Sequence, residues 1–211
     1  MIKVAFLLDR SNDWIASHLR DNLGDMGGFC FCQIYDEREV CYFDIVFVLG
    51  YTKILKDEIL KLNNLLLVVH ESDLPRGKGF APVQWQILKG VNKITICLLE
   101  VTDQVDSGDI YEKCTLTLDG TELYDEIRSK QAGATFELIT RFLRKYPNCS
   151  PSSQVGEASS YSKRIPKDSK LDIDKTIREQ FQLLRICNNE VWPAFFELNG
   201  ITYTLRIQKK S

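Results

Sequence analysis

Basic charge is not in surplus in this chain: 27 Lys and Arg stand against 29 Asp and Glu in 211 residues, a net charge of −2 at neutral pH. A protein that grips a polyanion needs clustered surplus cations, so no nucleic-acid partner is expected. A small phosphorylated ligand needs only a local pocket and is not excluded. Long apolar runs are also missing. None approaches the ~20 residues of a membrane span, and the opening nine residues are too short and too soon charged for a secretory signal. A cytoplasmic protein with no membrane association is the expectation. Histidine is scarce, with only His18 and His70. The seven cysteines are odd in number, and Cys30 and Cys32 have no second Cys pair or His cluster beside them. Buried reduced thiols are therefore expected, and no metal site. A Gly-rich phosphate loop is lacking too: Leu8-Asp9-Arg10-Ser11-Asn12 follows the first apolar run, which argues against NAD or nucleoside-triphosphate chemistry.

What is present is an ordinary globular balance, 44% hydrophobic and 27% charged, able to bury a core. Apolar runs at residues 2–8, 29–34, 44–49, 65–69, 94–101 and 110–118 read as strands. Residues 11–23, 56–62, 83–89, 122–146 and 174–188 carry helical spacing, with Ser11 or Asn12 placed to cap the first. Strands that alternate with helices and are apolar throughout predict an α/β fold: a mainly parallel, Rossmann-like sheet with helices on both faces. Asn, Ser, Pro and Gly crowd together near residue 150, predicting a linker or surface loop at 147–160 between an α/β domain (1–146) and a C-terminal extension (161–211). Within the extension, Asn199-Gly200 between two apolar runs predicts a β-hairpin after a short helix. An isolated hairpin is marginal in water. It is expected to pack on the main domain or on a second subunit, a homodimer being favoured over a monomer.

Two segments carry candidate chemistry. The strand at 65–69 leads into His70 and the polar loop Glu71-Ser72-Asp73-Leu74-Pro75-Arg76-Gly77-Lys78-Gly79. The strand at 94–101 leads into Thr102-Asp103-Gln104-Val105-Asp106-Ser107-Gly108-Asp109. Ligands of open α/β sheets bind outside the carboxyl ends of the strands, where both loops fall. On spacing alone, structural roles for His70 and the aspartates remain open. His18, inside an amphipathic helix pattern, reads as structural.

These segments together, His70 to Pro75, Gly77 to Pro82 and Val105 to Ile110, resemble the formyltransferase family. That family includes glycinamide ribonucleotide transformylase, methionyl-tRNA formyltransferase and the sugar N-formyltransferases. The resemblance covers most of residues 40–111 and implies that His70 and Asp106 are catalytic. Gly50-Tyr51-Thr52-Lys53-Ile54-Leu55 is similar to the family segment whose backbone binds the pterin of 10-formyltetrahydrofolate. It implies Lys53, Ile54 and Leu55, with Thr102, Asp103 and Val105, as cofactor contacts. On the substrate side it implies Arg76, Gly77, Lys78 and Phe80, with Lys163 and Arg164. The four cations among these could meet a phosphate or sugar carboxylate, and a solvated basic surface is the alternative. One position departs from the pattern: the family's catalytic Asn falls at Val68.

The segment from Tyr161 to Asp172 and Pro193-Ala194-Phe195-Phe196 resemble sugar N-formyltransferases, which implies an amino sugar of a bacterial surface glycan as substrate. A methionyl-tRNA formyltransferase would carry a further β-barrel for tRNA, for which residues 151–211 are too few. A glycinamide ribonucleotide transformylase-like enzyme and a non-catalytic folate- or sugar-binding relative remain the alternatives. In the implied reaction an amine attacks the formyl carbon, a tetrahedral oxyanion forms and tetrahydrofolate leaves. His70 then serves as proton carrier and Asp106 orients it or passes the proton on. The amine is itself the nucleophile, so no covalent enzyme intermediate is needed.

Overall fold

The computed structural model describes residues 1–10, 14–23, 26–53 and 55–210, residues 20–22 by backbone alone. Six strands form the central sheet: β1 (Ile2–Leu8), β2 (Phe29–Ile34), β3 (Ile45–Leu49), β4 (Leu66–His70), β6 (Lys93–Glu100) and β7 (Ile110–Thr117), in the order β2-β1-β3-β4-β6-β7. The first four are mutually parallel, but β6 runs antiparallel to β4 and β7 antiparallel to β6. The sheet is thus mainly parallel, as expected, with β6 and β7 at one side the exception. The loop after β6 is short enough to return β7 directly beside it, which only an antiparallel pairing permits.

Strand alternation sorts the side chains. Val4, Phe6 and Leu8 of β1 join Ile45, Phe47 and Leu49 of β3 and Ile94, Ile96 and Leu98 of β6 in one large apolar cluster. Helices α1 (Ala16–Leu23), α3 (Pro82–Leu88) and α4 (Tyr124–Lys145) cover that face, placing Ile15, Leu19, Val83, Ile87, Phe136, Leu138, Ile139 and Phe142 against it. Phe47 lies parallel to Phe6 and meets the edge of Phe142. Burying a side chain of that size contributes about 1.5–3 kcal/mol relative to leaving it in water. Ala5, Leu7, Val46, Val48 and Leu66 face the other way. There only the five-residue α2 (Asp57–Lys61), through Ile59, and loop segments cover the sheet. Helices thus lie on both faces, but unequally.

The first helix is shorter than its sequence run. It begins at Ala16, and a tight bond from the His18 N–H to the Ile15 carbonyl makes the entry a turn. The proposed caps Ser11 and Asn12 lie outside the described residues. The helix expected over 174–188 is α5 (Ile177–Ile186). Its start is fixed by a reciprocal cap: the Glu179 N–H donates to Thr176 Oγ1, while Glu179 Oε2 accepts from the Thr176 N–H.

The extension is anchored to the α/β body by a buried ion pair. Arg185 of α5 is fully buried and Glu122, just before α4, is 2% exposed. The Arg185 Nη2 donates to Glu122 Oε2 at 2.8 Å, Nε to the Glu122 carbonyl at 2.9 Å, and Nη1 to Asn92 Oδ1 and Gln182 Oε1. Beyond α5, β9 (Ala194–Leu198) and β10 (Ile201–Leu205) pair as a separate antiparallel hairpin. Asn199 and Gly200 both take positive φ, as a tight two-residue turn requires. Ala194 packs with Leu171, Leu184 and Cys187, whereas Ile201 and Tyr203 remain exposed. Among the described residues no helix is long and apolar enough to cross a membrane.

Candidate active site

The site forms where the strand rows end. Leu7, Val48 and Val68 lie abreast on neighbouring strands. The same register carried two residues further sets Asp9, Gly50 and His70 side by side at the carboxyl edge. Gly50 lies between Asp9 and His70 in that row. Strands sit ~4.8 Å apart, which puts the two backbones on the order of 10 Å from each other. Asp9 is 9% exposed and accepts from Thr52 Oγ1 at 2.5 Å.

His70 closes β4, opposite Cys97 of β6. Its Nε2 lies 2.8 Å from the Gly77 carbonyl and its Nδ1 3.4 Å from Asp106 Oδ2, with side-chain exposures of 7% and 10%. A carbonyl can only accept, so Nε2 carries its proton, and Nδ1 is the nitrogen that faces the carboxylate. Asp106 sits at φ +52, in the left-handed region that costs a side-chain-bearing residue energy. Its Oδ2 also accepts from the Gly79 N–H at 2.8 Å, and Lys78 Nζ donates to Ser107 Oγ at 2.7 Å. The two loops expected from sequence to carry the chemistry are thereby bonded to each other across His70.

Two glycines are fixed by close approach. A Cβ on Gly79 would come within 2.6 Å of the Tyr161 carbonyl oxygen, and one on Gly108 within 1.9 Å of the Glu100 carbonyl oxygen. Both obstacles are backbone and cannot yield. Tyr161 arrives with β8 (Ser160–Tyr161), which pairs in parallel with β5 (Lys78–Gly79). The stretch expected to be a linker or surface loop therefore runs over the strand ends and is bonded to them. Ser152 exchanges two backbone hydrogen bonds with Ile110, Ser159 Oγ accepts from the Gly77 N–H, and Gln154 Nε2 donates to the carbonyls of Asp106 and Gly108 at 2.9 Å each.

Of the remaining expected contacts, Lys53 lies exposed on the loop after β3, and Thr102, Asp103 and Val105 lie exposed on the loop after β6. Because β6 runs antiparallel, that loop leaves the sheet beside Leu66, at the amino end of β4. Only the His70 loop therefore follows the carboxyl-end expectation, and the Asp106 loop reaches His70 from the other end. Leu55 packs on the thinner-covered face, and Ile54 lies outside the described residues. Arg76 and Phe80 are exposed. Lys78 is drawn into the site by Ser107. Arg164 turns away, donating to the Asp168 carbonyl and Ser169 Oγ, and Lys163 is exposed beside it. Val68 is half-buried on the face that His70 shares, packed among apolar neighbours of both adjoining clusters. Burial pushes the nearby Cys97 thiol up, so it stays protonated and donates to the Ser72 carbonyl. Among the described residues no His, Cys, Asp and Glu gather as metal ligands. Sequence reasoning missed Asp9 and Gln154. Asp9 was visible only as the absence of a glycine loop, and Gln154 lay in a stretch whose composition reads as linker.

The fold and site define an open α/β protein with a buried His–Asp pair beside a Gly-rich loop. The comparisons with known proteins make that class specific. Residues 33–142 match the Formyl transferase family, and the chain belongs to it. The methionyl-tRNA formyltransferase of Sulfurihydrogenibium sp. (strain YO3AOP1) is 30% identical over 159 residues, which are 72% of this chain and 50% of that protein. The chain thus spans about half the length of the curated relatives it matches. Among solved structures, a methionyl-tRNA formyltransferase from Clostridium thermocellum superposes with TM-score 0.82 at 21% identity, covering 100% of this chain and 94% of that one. A 4-N formyltransferase from Francisella tularensis does so with TM-score 0.76 at 14% identity, covering 100% and 98%. HypX from Aquifex aeolicus in complex with tetrahydrofolic acid gives 0.71 at 16% identity, covering 97% of this chain and 37% of that one. These likenesses establish the shared fold.

Proposed function

We propose that this chain transfers a formyl group from 10-formyltetrahydrofolate to the amine of an amino sugar. The observation that carries the reading is the His70–Asp106 pair, held between two mutually bonded loops of a chain whose sequence matches the family. The donor supplies a formyl group on nitrogen. Exposed Val105 offers an apolar surface on which a flat heterocycle can lie.

The chain's own groups have separable tasks. The Gly77 carbonyl holds the Nε2 proton and fixes the imidazole plane. Nδ1 is then the atom that exchanges a proton with Asp106, and the pair takes up the proton that an attacking amine must lose. The enclosing loops keep the pair nearly out of water, where a carboxylate and an imidazole influence each other more strongly than in solvent. Val68 offers no hydrogen bond and both ring nitrogens of His70 are engaged, so polarisation of the formyl oxygen falls to a backbone N–H of the following loop or to an ordered water.

For the acceptor, the net acidic balance and the likeness of Tyr161 to Asp172 to sugar N-formyltransferases support an amino sugar. The curated relatives' names favour methionyl-tRNA as a second reading. The test is turnover with 10-formyltetrahydrofolate against a panel of nucleotide-linked amino sugars, glycinamide ribonucleotide and methionyl-tRNA, read by release of tetrahydrofolate and by a product one CO heavier. Formylation of an amino sugar in preference to both others is expected. Preference for methionyl-tRNA would replace the sugar reading, and binding of folate without turnover on any amine would make the chain a non-catalytic relative.

A further inference from the structure

We propose that Gln154 is a positioning residue for formyl transfer: its side-chain amide, presented by the segment that crosses the strand ends, holds Asp106 in register with His70. The inference rests on the formyl-transfer reading of that pair and adds a third side chain to it.

Three observations converge. Asp106 takes a left-handed conformation (φ +52), which Asp adopts more readily than most side-chain-bearing residues but at some cost. The carbonyls on either side of Ser107, those of Asp106 and Gly108, both accept from Gln154 Nε2 at 2.9 Å. An amide NH2 has two protons and a carbonyl has none, so one group clamps both ends of the turn, and the amide can be oriented in only one way. In that orientation Gln154 Oε1 is buried and, among the described residues, has no hydrogen-bond partner. A buried acceptor left unmet works against folding. Filling space would be done better by an apolar side chain, so what the position requires is the donor.

The clamp belongs to a larger arrangement. Ser152 pairs with Ile110 just beyond the Asp106 turn, while Ser159 and Tyr161 bond the loop that carries Gly77 and Gly79. One segment thereby fixes both walls of the His70 pocket. Gly77 supplies the acceptor for His70 Nε2, and Gly79 supplies an N–H to the same Asp106 oxygen that faces Nδ1. Loss of the Gln154 amide would free the Asp106 turn without touching the carboxylate itself.

The experiment compares Gln154→Ala and Gln154→Glu with wild type in the intact chain. Gln154→Ala is expected to lower kcat by roughly tenfold to a hundredfold, the order that a ~1 Å misplacement costs, with KM for the folate donor nearly unchanged. Gln154→Glu is the discriminating variant. Ionised, it turns an acceptor toward two carbonyls and falls below Gln154→Ala. As pH falls and its carboxyl gains a proton it regains a donor, so its activity relative to Gln154→Ala rises toward acid. A space-filling role ranks the isosteric Glu nearest to wild type with an unchanged pH profile, and that result would overturn the proposal. Should wild type turn over no amine, the functional reading fails separately. Amide hydrogen exchange still decides the positioning claim: the Gly79 N–H must exchange faster in Gln154→Ala than in wild type, and equal rates would refute it.

Discussion

Exchanging Glu122 for Gln and Arg185 for Met should destabilise the protein by unequal amounts, because the two ends of their buried pair are differently provided for. Arg185 is fully buried, and among the described residues Glu122 is the carboxylate that bonds it, Asp119 and Glu126 attracting it only from further off. Its other bonded partners, Asn92, Gln182 and the Glu122 carbonyl, are neutral. Glu122 also accepts from the N–H groups of Asp119 and Gly120 and from Lys130 Nζ. Glu122→Gln therefore strands a cation without a bonded counter-charge, at about 3–5 kcal/mol, the range for breaking a buried pair from one side. Arg185→Met leaves a carboxylate with three donors in place and takes one donor each from three neutral acceptors, the Glu122 carbonyl, Asn92 and Gln182. About 1–3 kcal/mol is therefore expected, below the cost of a stranded charge. At ~2–4 °C per kcal/mol for a chain of this size, the first variant should melt on the order of 6–20 °C below wild type. Burial opposes the Glu122 charge, but the bonds from Lys130, Asp119 and Gly120 outweigh it and its pKa is lowered from 4.5. Its contribution is thus complete above the unfolded value and lost as pH falls through the lower folded value, so wild type and Glu122→Gln should converge in acid. Urea denaturation at several pH values measures all of this. A loss for Arg185→Met equal to or larger than that for Glu122→Gln would refute the reasoning, as would a gap that widens in acid.

Three other outcomes follow from the geometry. Val68→Asn should not raise turnover, because an amide there would sit among the apolar side chains that Val68 packs against and lose about 1–3 kcal/mol unpaired; a gain in steady-state rate would mean the site is a degraded form of its family's. Gly108→Ala should fail to fold or lose all activity, since the added carbon meets the Glu100 carbonyl oxygen at 1.9 Å, and a soluble variant with normal thermal melting would contradict the turn as described. The exposed Ile201 and Tyr203 of the hairpin are expected to be covered by a second copy. Light scattering should give a dimer that Ile201→Lys converts to a monomer, and a monomeric wild type at working concentration would remove that expectation.

Much of this was legible in the sequence, and what escaped did so for physical reasons. The apolar runs of β1, β3, β4 and β6 made their positions readable. The reversal of β6 and β7 was not, because the composition of a strand does not encode its direction. His70 and Asp106 could be singled out only through the resemblance of their motifs to the formyltransferase family, and the structure brings the two side chains together. Gln154 could not, since its importance lies in two carbonyls 46 and 48 residues away and no local pattern encodes that. Arg164, expected as one of the possible ligand-meeting cations, donates through Nη2 to the Asp168 carbonyl and Ser169 Oγ, a local arrangement that its sequence position did not show.

The central claim is that the His70–Asp106 pair moves the proton in formyl transfer. Single-turnover rates with 10-formyltetrahydrofolate and the preferred amine, for wild type, His70→Ala and Asp106→Ala, test it most directly. Each variant should lose about a hundredfold to ten-thousandfold in rate, the span that a positioned proton-transfer group contributes, while folate binding by fluorescence stays near wild type. Near-wild-type rates in either variant would contradict the account.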